Sequence, residues 1–177
     1  SQLTGYSDAD QVETWEDVVY PGNEFIQATS SHQPLYKTNR VNSLPALYFD
    51  NTDDGMDGTI AINAVPYSIF IVYNCQETRN AHRALQGPAN WLIGPYSGNH
   101  RLYNGAFITG PAIVASTFVY ATVIADSGGH EFRVDGAAIG SNIRTTAPGI
   151  VSLGNEGAFN ERLYGDIAEV IIYYKAL

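Results

Sequence analysis

The apolar residues of this sequence come in short runs, and clusters of Gly, Asn, Asp or Pro separate one run from the next. The runs are rich in Val, Ile, Tyr, Phe and Thr, which suit a pleated sheet, and no long segment repeats with the period of a helix. This pattern predicts β-strands joined by turns, with one weak helical turn over residues 78–85. The clearest strands are expected at residues 46–49, 67–73, 91–93, 117–125, 131–134 and 167–174.

Three of these segments also predict how the strands are arranged. Residues 67–73 are apolar on both faces, as expected of a central strand that is covered on both sides. In residues 117–125, Val119, Ala121 and Val123 share one face, which is expected to point into the core. Asp135-Gly136 tolerates the positive φ of a tight turn and predicts a β-hairpin.

The chain has 177 residues, close to the size of one domain, so residues 1–177 are expected to form a single unit. Its formal charge is −9 with only nine Lys and Arg, which disfavours nucleic acid as a partner. No apolar run is long enough for membrane insertion. Cys75 is the one cysteine, so no internal disulfide can form, and a buried, inert thiol is expected.

Four blocks of the sequence resemble one family, the laminin-G-like, concanavalin-A-like jelly-roll domains of secreted, bacterial and phage proteins. The blocks are VETWED with FIQAT and QPLY near the start, NSLPALYFDNTDD from Asn42, the VDG turn from Val134, and GDIAEVIIY with the final AL. This resemblance implies an all-β fold with two antiparallel sheets in a jelly-roll sandwich, at an extracellular location or on a virion surface.

Members of that family begin with an apolar strand that pairs with their last strand, and no such strand precedes Ser1 here. The last strand, residues 167–174, places Ile167, Glu169, Ile171 and Tyr173 on one face by simple alternation, with Tyr174 on the other. If its edge stayed unpaired, another chain could pair with it. We therefore expect it to be covered by residues 1–9 or, slightly preferred, by a strand of another protein chain.

Catalysis is tested by the spacing of carboxylates. A retaining glycosidase needs two carboxyl groups about 5–5.5 Å apart. Glu13 and Asp17 would share a strand face at about 13 Å, since each residue advances roughly 3.3 Å, and Glu16 points the other way. Gly-x-Ser-x-Gly and paired metal motifs are also absent from the sequence. The domain is accordingly expected not to be an enzyme.

Carboxylates concentrate in the turn after residue 49, where the candidate metal ligands are Asp50, Asp53 and Asp54. Calcium accepts such oxygen ligands, but Asp side chains also cap turns through the backbone, and the turn interpretation is favoured. Glu169, within an apolar strand, is expected to be buried and to accept hydrogen bonds.

Two stretches, residues 91–104 and 155–164, combine aromatic rings with polar side chains, the mixture that binds sugars in proteins. The alternative interpretation is that both are ordinary polar loops around a core Trp91. The candidate ligand-binding residues are Tyr96, Asn99, His100, Tyr103, Asn155 and Glu156.

The leading hypothesis for function is a non-catalytic module that recognises carbohydrate or a glycoconjugate-bearing surface. One alternative is a structural protein of a phage or virion surface, used for decoration, tail assembly or attachment. The other is a polysaccharide-cleaving enzyme, which would require carboxylates remote in sequence to converge.

Overall fold

The computed structural model describes residues 3–78, 81–154 and 161–177. Within these ranges no helix is long and apolar enough to cross a membrane. One 3-10 turn covers Ser30–His32. The described strands are β1 (Thr14–Glu16), β2 (Glu24–Ile26), β3 (Leu35–Val41), β4 (Leu44–Asp50), β5 (Met56–Ile62), β6 (Tyr67–Tyr73), β7 (Leu85–Gly87), β8 (Trp91–Tyr96), β9 (Asn99–Tyr103), β10 (Phe107–Ala112), β11 (Val119–Asp126), β12 (Gly129–Val134), β13 (Ala137–Asn142), β14 (Gly149–Leu153) and β15 (Tyr164–Tyr173).

These strands form two antiparallel sheets that pack as a sandwich. One sheet has the order β1-β2-β5-β14-β7-β8-β9-β10, and the other has the order β13-β12-β11-β6-β15-β4-β3. Neighbours in each sheet are often remote in sequence, as a jelly roll requires. The expected all-β, two-sheet jelly-roll sandwich is therefore confirmed.

The core lies between the two sheets and is filled by alternate side chains of each strand. β6 lies between β11 and β15, which confirms it as a central strand. On β11, Val119, Ala121 and Val123 are buried while Tyr120 is 45% exposed. The predicted inward face of that strand is thus confirmed.

Tight turns set the register of the hairpins. Asp135 and Gly136 have φ values of 50° and 79°, the left-handed conformation of a type I′ turn, and they join β12 to β13 as predicted. Asn42 and Ser43, with φ values of 50° and 62°, form the equivalent turn between β3 and β4. The weak helical turn predicted over residues 78–85 is wrong in its described part, because Ala81 forms an isolated β-bridge with Tyr96 and Leu85 begins β7. Residues 79 and 80 lie outside the described ranges.

The last strand, β15, departs from simple alternation. A β-bulge between Ile167 and Glu169 shifts its register against β6, so Ile167 is fully buried and Val170 and Ile172 also pack against the core. The bulge turns Glu169 outward, where it is exposed, which corrects the expectation of a buried Glu169. The candidate cover formed by residues 1–9 is also wrong for its described part, since Ala9 bonds to Tyr36 on β3 instead.

Candidate functional site

The candidate sugar-binding stretch folds as the hairpin of β8 and β9. Ser97 and Gly98 have φ values of 49° and 79°, so a two-residue I′ turn places Tyr96 opposite Asn99. Side chains of β9 then alternate between the core and the outer surface of the sheet. His100 and Leu102 are buried, whereas Tyr103 lies on the outer face.

Three aromatic rings meet on that outer face. Tyr103 pairs with Phe107 across β9 and β10, and their ring centroids are 4.8 Å apart. The Tyr96 ring reaches the same Phe107 with a centroid separation of 5.0 Å. We call Tyr96, Tyr103 and Phe107 the aromatic platform. Phe107 is 41% exposed, so part of the platform faces solvent on a rigid sheet.

Polar and charged groups surround the platform. The Arg101 guanidinium lies 4.9 Å from the centroid of Phe107, a cation–π distance. A cavity of about 310 Å³ beside the platform is also lined by Arg83, Asn90 and Glu161. Arg83 donates to Glu161 at 2.5 Å and to the Asn90 side-chain oxygen at 2.6 Å, which fixes these groups in place. The site thus combines apolar ring faces with oriented hydrogen-bonding groups.

The structure brings some of the predicted ligand-binding residues to the platform and places others elsewhere. Tyr96 and Tyr103 come together as expected. His100 is a correction: it faces the core, is 2% exposed, and its Nδ1 atom lies 2.9 Å from the Tyr73 hydroxyl. Asn99 lies at the turn, and its side-chain amide donates to the Gly110 carbonyl at 3.0 Å, which ties β9 to β10.

Asn155 and Glu156 lie outside the described residues. Glu161, from the same stretch of sequence, lines the cavity beside Tyr96 and Tyr103, so the two predicted stretches meet there. Phe107 was not predicted, although the sequence carries a signal for it. Asn104-Gly105 signals a turn, but the connection in the structure has three residues, 104–106, and this length is what pairs Phe107 rather than Ala106 with Tyr103. Trp91 is fully buried, as the alternative interpretation expected.

The acidic turn brings Asp50, Asp53 and Asp54 together. One carboxylate oxygen from each lies within 4.8 Å of the others. Two of the three already serve the backbone: Asp50 Oδ1 accepts from the Thr52 amide at 2.7 Å, and Asp54 Oδ2 accepts from the Asp50 amide at 3.0 Å. His32 lies 3.6 Å from Asp53. The geometry is that of a capped turn whose remaining oxygens converge.

Burial dominates the electrostatics of this turn. Asp54 is 5% exposed, and loss of hydration followed by repulsion from Asp50 raises the pKa of its carboxyl group to about 7. The hydrogen bond from the Asp50 amide opposes that rise in pKa. The Asp54 carboxyl group therefore keeps its proton to a higher pH than an exposed aspartate does.

A comparison of the sequence with protein-family models finds no match, and a comparison with curated proteins finds none either. Solved structures do resemble the chain. Domain 4 of AbnA, an extracellular GH43 arabinanase from Geobacillus stearothermophilus solved in complex with arabinotriose, has a TM-score of 0.66 at 16% identity. That match covers 82% of this chain and 77% of the arabinanase domain.

Two further solved structures show the same likeness. Trypanosoma rangeli sialidase in complex with the inhibitor DANA has a TM-score of 0.69 at 13% identity, and the match covers 96% of this chain but 30% of the sialidase. The SAP-like pentraxin of Limulus polyphemus has a TM-score of 0.55 at 13% identity, with 73% and 76% of the two chains covered. At these identities the likeness establishes the jelly-roll β-sandwich fold, which many unrelated functions share, and does not single out the laminin-G family.

Proposed function

We propose that this domain is a non-catalytic recognition module of the laminin-G-like kind that binds glycans at an extracellular or virion surface. The observation that carries the proposal is the aromatic platform, where Tyr96, Tyr103 and Phe107 present ring surfaces on three neighbouring strands. Sugars bind proteins through ring faces that pack on their C–H surfaces and through polar groups that read their hydroxyls.

The surroundings of the platform support this function. The adjoining cavity of about 310 Å³ lies at the lower end of the range typical of ligand pockets, roughly 300–1,000 Å³. Arg83 and Glu161 are held by their mutual ion pair, so they would meet a ligand already oriented. The arabinanase domain that resembles this chain was solved with arabinotriose, which makes arabino-oligosaccharides the first ligands to test.

The test is a glycan array that includes arabino-oligosaccharides, followed by calorimetric titration of the strongest ligands. We expect Tyr103→Ala and Phe107→Ala each to weaken binding roughly tenfold, a loss of about 1.4 kcal/mol. Tyr120→Ala is the matched control, since it removes an exposed ring from the other sheet. Equal losses in all three variants, or no glycan binding by the parent, would remove the proposal.

The non-catalytic part of the proposal has its own test. Incubation with the same polysaccharides should release no new reducing ends. Release that disappears when one Glu or Asp is changed to its amide would instead establish an enzyme.

A structural role on a phage or virion surface is the second candidate, and one observation favours it. β15 pairs with β4 only over Tyr164–Ile167, so the rest of that edge offers a place for assembly with another chain.

A further inference from the structure

One edge of β15 is only half paired. β15 pairs with β6 as far as Tyr173, but on its other side the last pair with β4 joins Ile167 to Leu47. Across the described ranges 3–78, 81–154 and 161–177, no strand pairs with the outer edge of residues 169–173. A strand edge of this kind carries regularly spaced N–H and C=O groups that another extended chain can satisfy.

An apolar groove of about 450 Å³ runs along this edge. Trp15 and Phe25, both nearly buried, line it, and Val19 and Ile171 line it while 66% and 37% exposed. We call this cavity the strand groove. An apolar groove beside an unpaired strand edge is the arrangement to which extended peptides add as a further strand.

The combination of groove and backbone edge defines the shape of the occupant. A helix has already satisfied its own backbone, and a small apolar molecule has no backbone to offer, so neither would use the free edge of β15. An extended strand satisfies the edge with its main chain and places alternate side chains into the groove. Five residues at about 3.3 Å each span roughly 16 Å, which sets the length of the strand at five or six residues.

The charge of the groove indicates which side chains the occupant carries. Glu16, Asp17 and Glu169 line the strand groove, and no Lys or Arg is among its described lining residues. An incoming strand with basic residues would therefore meet complementary charge, whereas an acidic one would be repelled.

We infer that the strand groove is a β-augmentation site that takes an extended strand of another polypeptide, apolar at alternate positions and basic between them. The strand adds to β15 along residues 169–173 and completes the seven-stranded sheet on that side. This surface lies on β15 and β1–β2, whereas the aromatic platform lies on β8–β10, so the inference stands apart from the proposed glycan site.

The probe is the capped peptide acetyl-Lys-Val-Lys-Val-Lys-Val-amide, titrated by calorimetry and followed by amide hydrogen exchange. We expect binding in the micromolar range and at least tenfold slower exchange at amides within residues 169–173. Alternate N–H groups of a strand point to opposite edges. Methylating the backbone nitrogens of the three Val or of the three Lys should therefore abolish binding in one version and preserve it in the other.

Ile171→Lys is the variant that places a positive charge beside the free edge on the outer face of β15, next to the basic side chains of the added strand, and it should weaken binding at least tenfold. Ile150→Lys is its matched control, since Ile150 is 52% exposed on β14, and it should leave binding unchanged. Equal binding by the parent and Ile171→Lys, or by both methylated peptides, would overturn the inference. Concentration-dependent self-association that Ile171→Lys removes would overturn the choice of occupant, because it assigns the groove to a second copy of this chain.

Discussion

The Arg40 guanidinium forms a bidentate ion pair with the Asp166 carboxylate across the intervening strand β4. Nε lies 2.9 Å from one carboxylate oxygen and Nη2 lies 2.6 Å from the other, although the two residues are 126 positions apart. Asp166 is fully buried and also accepts from the side-chain amides of Asn74 and Gln76. This pair connects β3 to β15, and the hydrogen bonds satisfy a carboxylate that water cannot reach.

We expect Asp166→Ala to lower the free energy of unfolding by on the order of 3–5 kcal/mol, the usual effect of breaking a buried, hydrogen-bonded pair. Chemical denaturation measures this change. Glu131→Ala is the control, because Glu131 pairs with Arg133 at a partly exposed position, and its cost should stay below about 1 kcal/mol. Similar costs for the two variants would contradict a structural role for the Arg40–Asp166 pair.

Asp54 should make the protein less stable as pH rises through the weakly acidic range. Its folded pKa of about 7 lies above its ordinary value of 3.8, so between these values the folded state binds the proton that the unfolded state has released. The free energy of unfolding should therefore fall from about pH 4 to pH 7, by up to about 4 kcal/mol from this group. Asp54→Asn should remove that component; an unchanged pH profile in this variant would refute it.

His100 and His130 should act in the opposite direction. Burial lowers the pKa of both imidazoles, and both contact buried tyrosine hydroxyls, those of Tyr73 and Tyr67. The folded state holds them neutral while the unfolded state protonates them near pH 6.5. Their contribution to stability is complete above that pH and is lost as pH falls towards the folded pKa of each histidine. An NMR titration of the imidazole ring carbons should give each of these histidines a pKa below the ordinary histidine value.

Calcium should leave the melting temperature unchanged, because Asp50 and Asp54 each already commit an oxygen to a backbone amide of the turn. Thermal unfolding with calcium or with a chelator measures this. A ligand that binds only the folded state raises the melting temperature by mass action. A rise with calcium that Asp53→Ala abolishes would instead assign the turn as a metal site.

Local sequence patterns predicted much of this fold because they reflect short-range geometry. The inward face of β11 follows from alternation, and the β12–β13 hairpin follows from the backbone freedom of Asp135-Gly136. Simple alternation fails for β15. One bulge residue, Ala168, reverses which side chains face the core, and the buried carboxylate of that strand is Asp166 rather than Glu169.

The candidate site was predictable only in part, for a related reason. Tyr96 and Tyr103 were found because their residue types stand out in one stretch of sequence. Residue type also favours His100, but side chains on β9 alternate, and His100 falls on the face that points into the core. Arg83 and Asn90 flank β7 of the β7–β8 hairpin, and their meeting with Glu161, 78 positions from Arg83, is a long-range contact that no local pattern encodes.

The reactivity of the single thiol, Cys75, reports on local opening of this fold. Cys75 is 1% exposed, its Sγ atom donates to the Glu77 carbonyl, and burial raises its pKa to about 11. An alkylating reagent needs the thiolate and a path to it, and the closed structure supplies neither. Since Asn74 and Gln76, on either side of Cys75, both bind Asp166, the rate of maleimide labelling measures how often the end of β6 parts from β15.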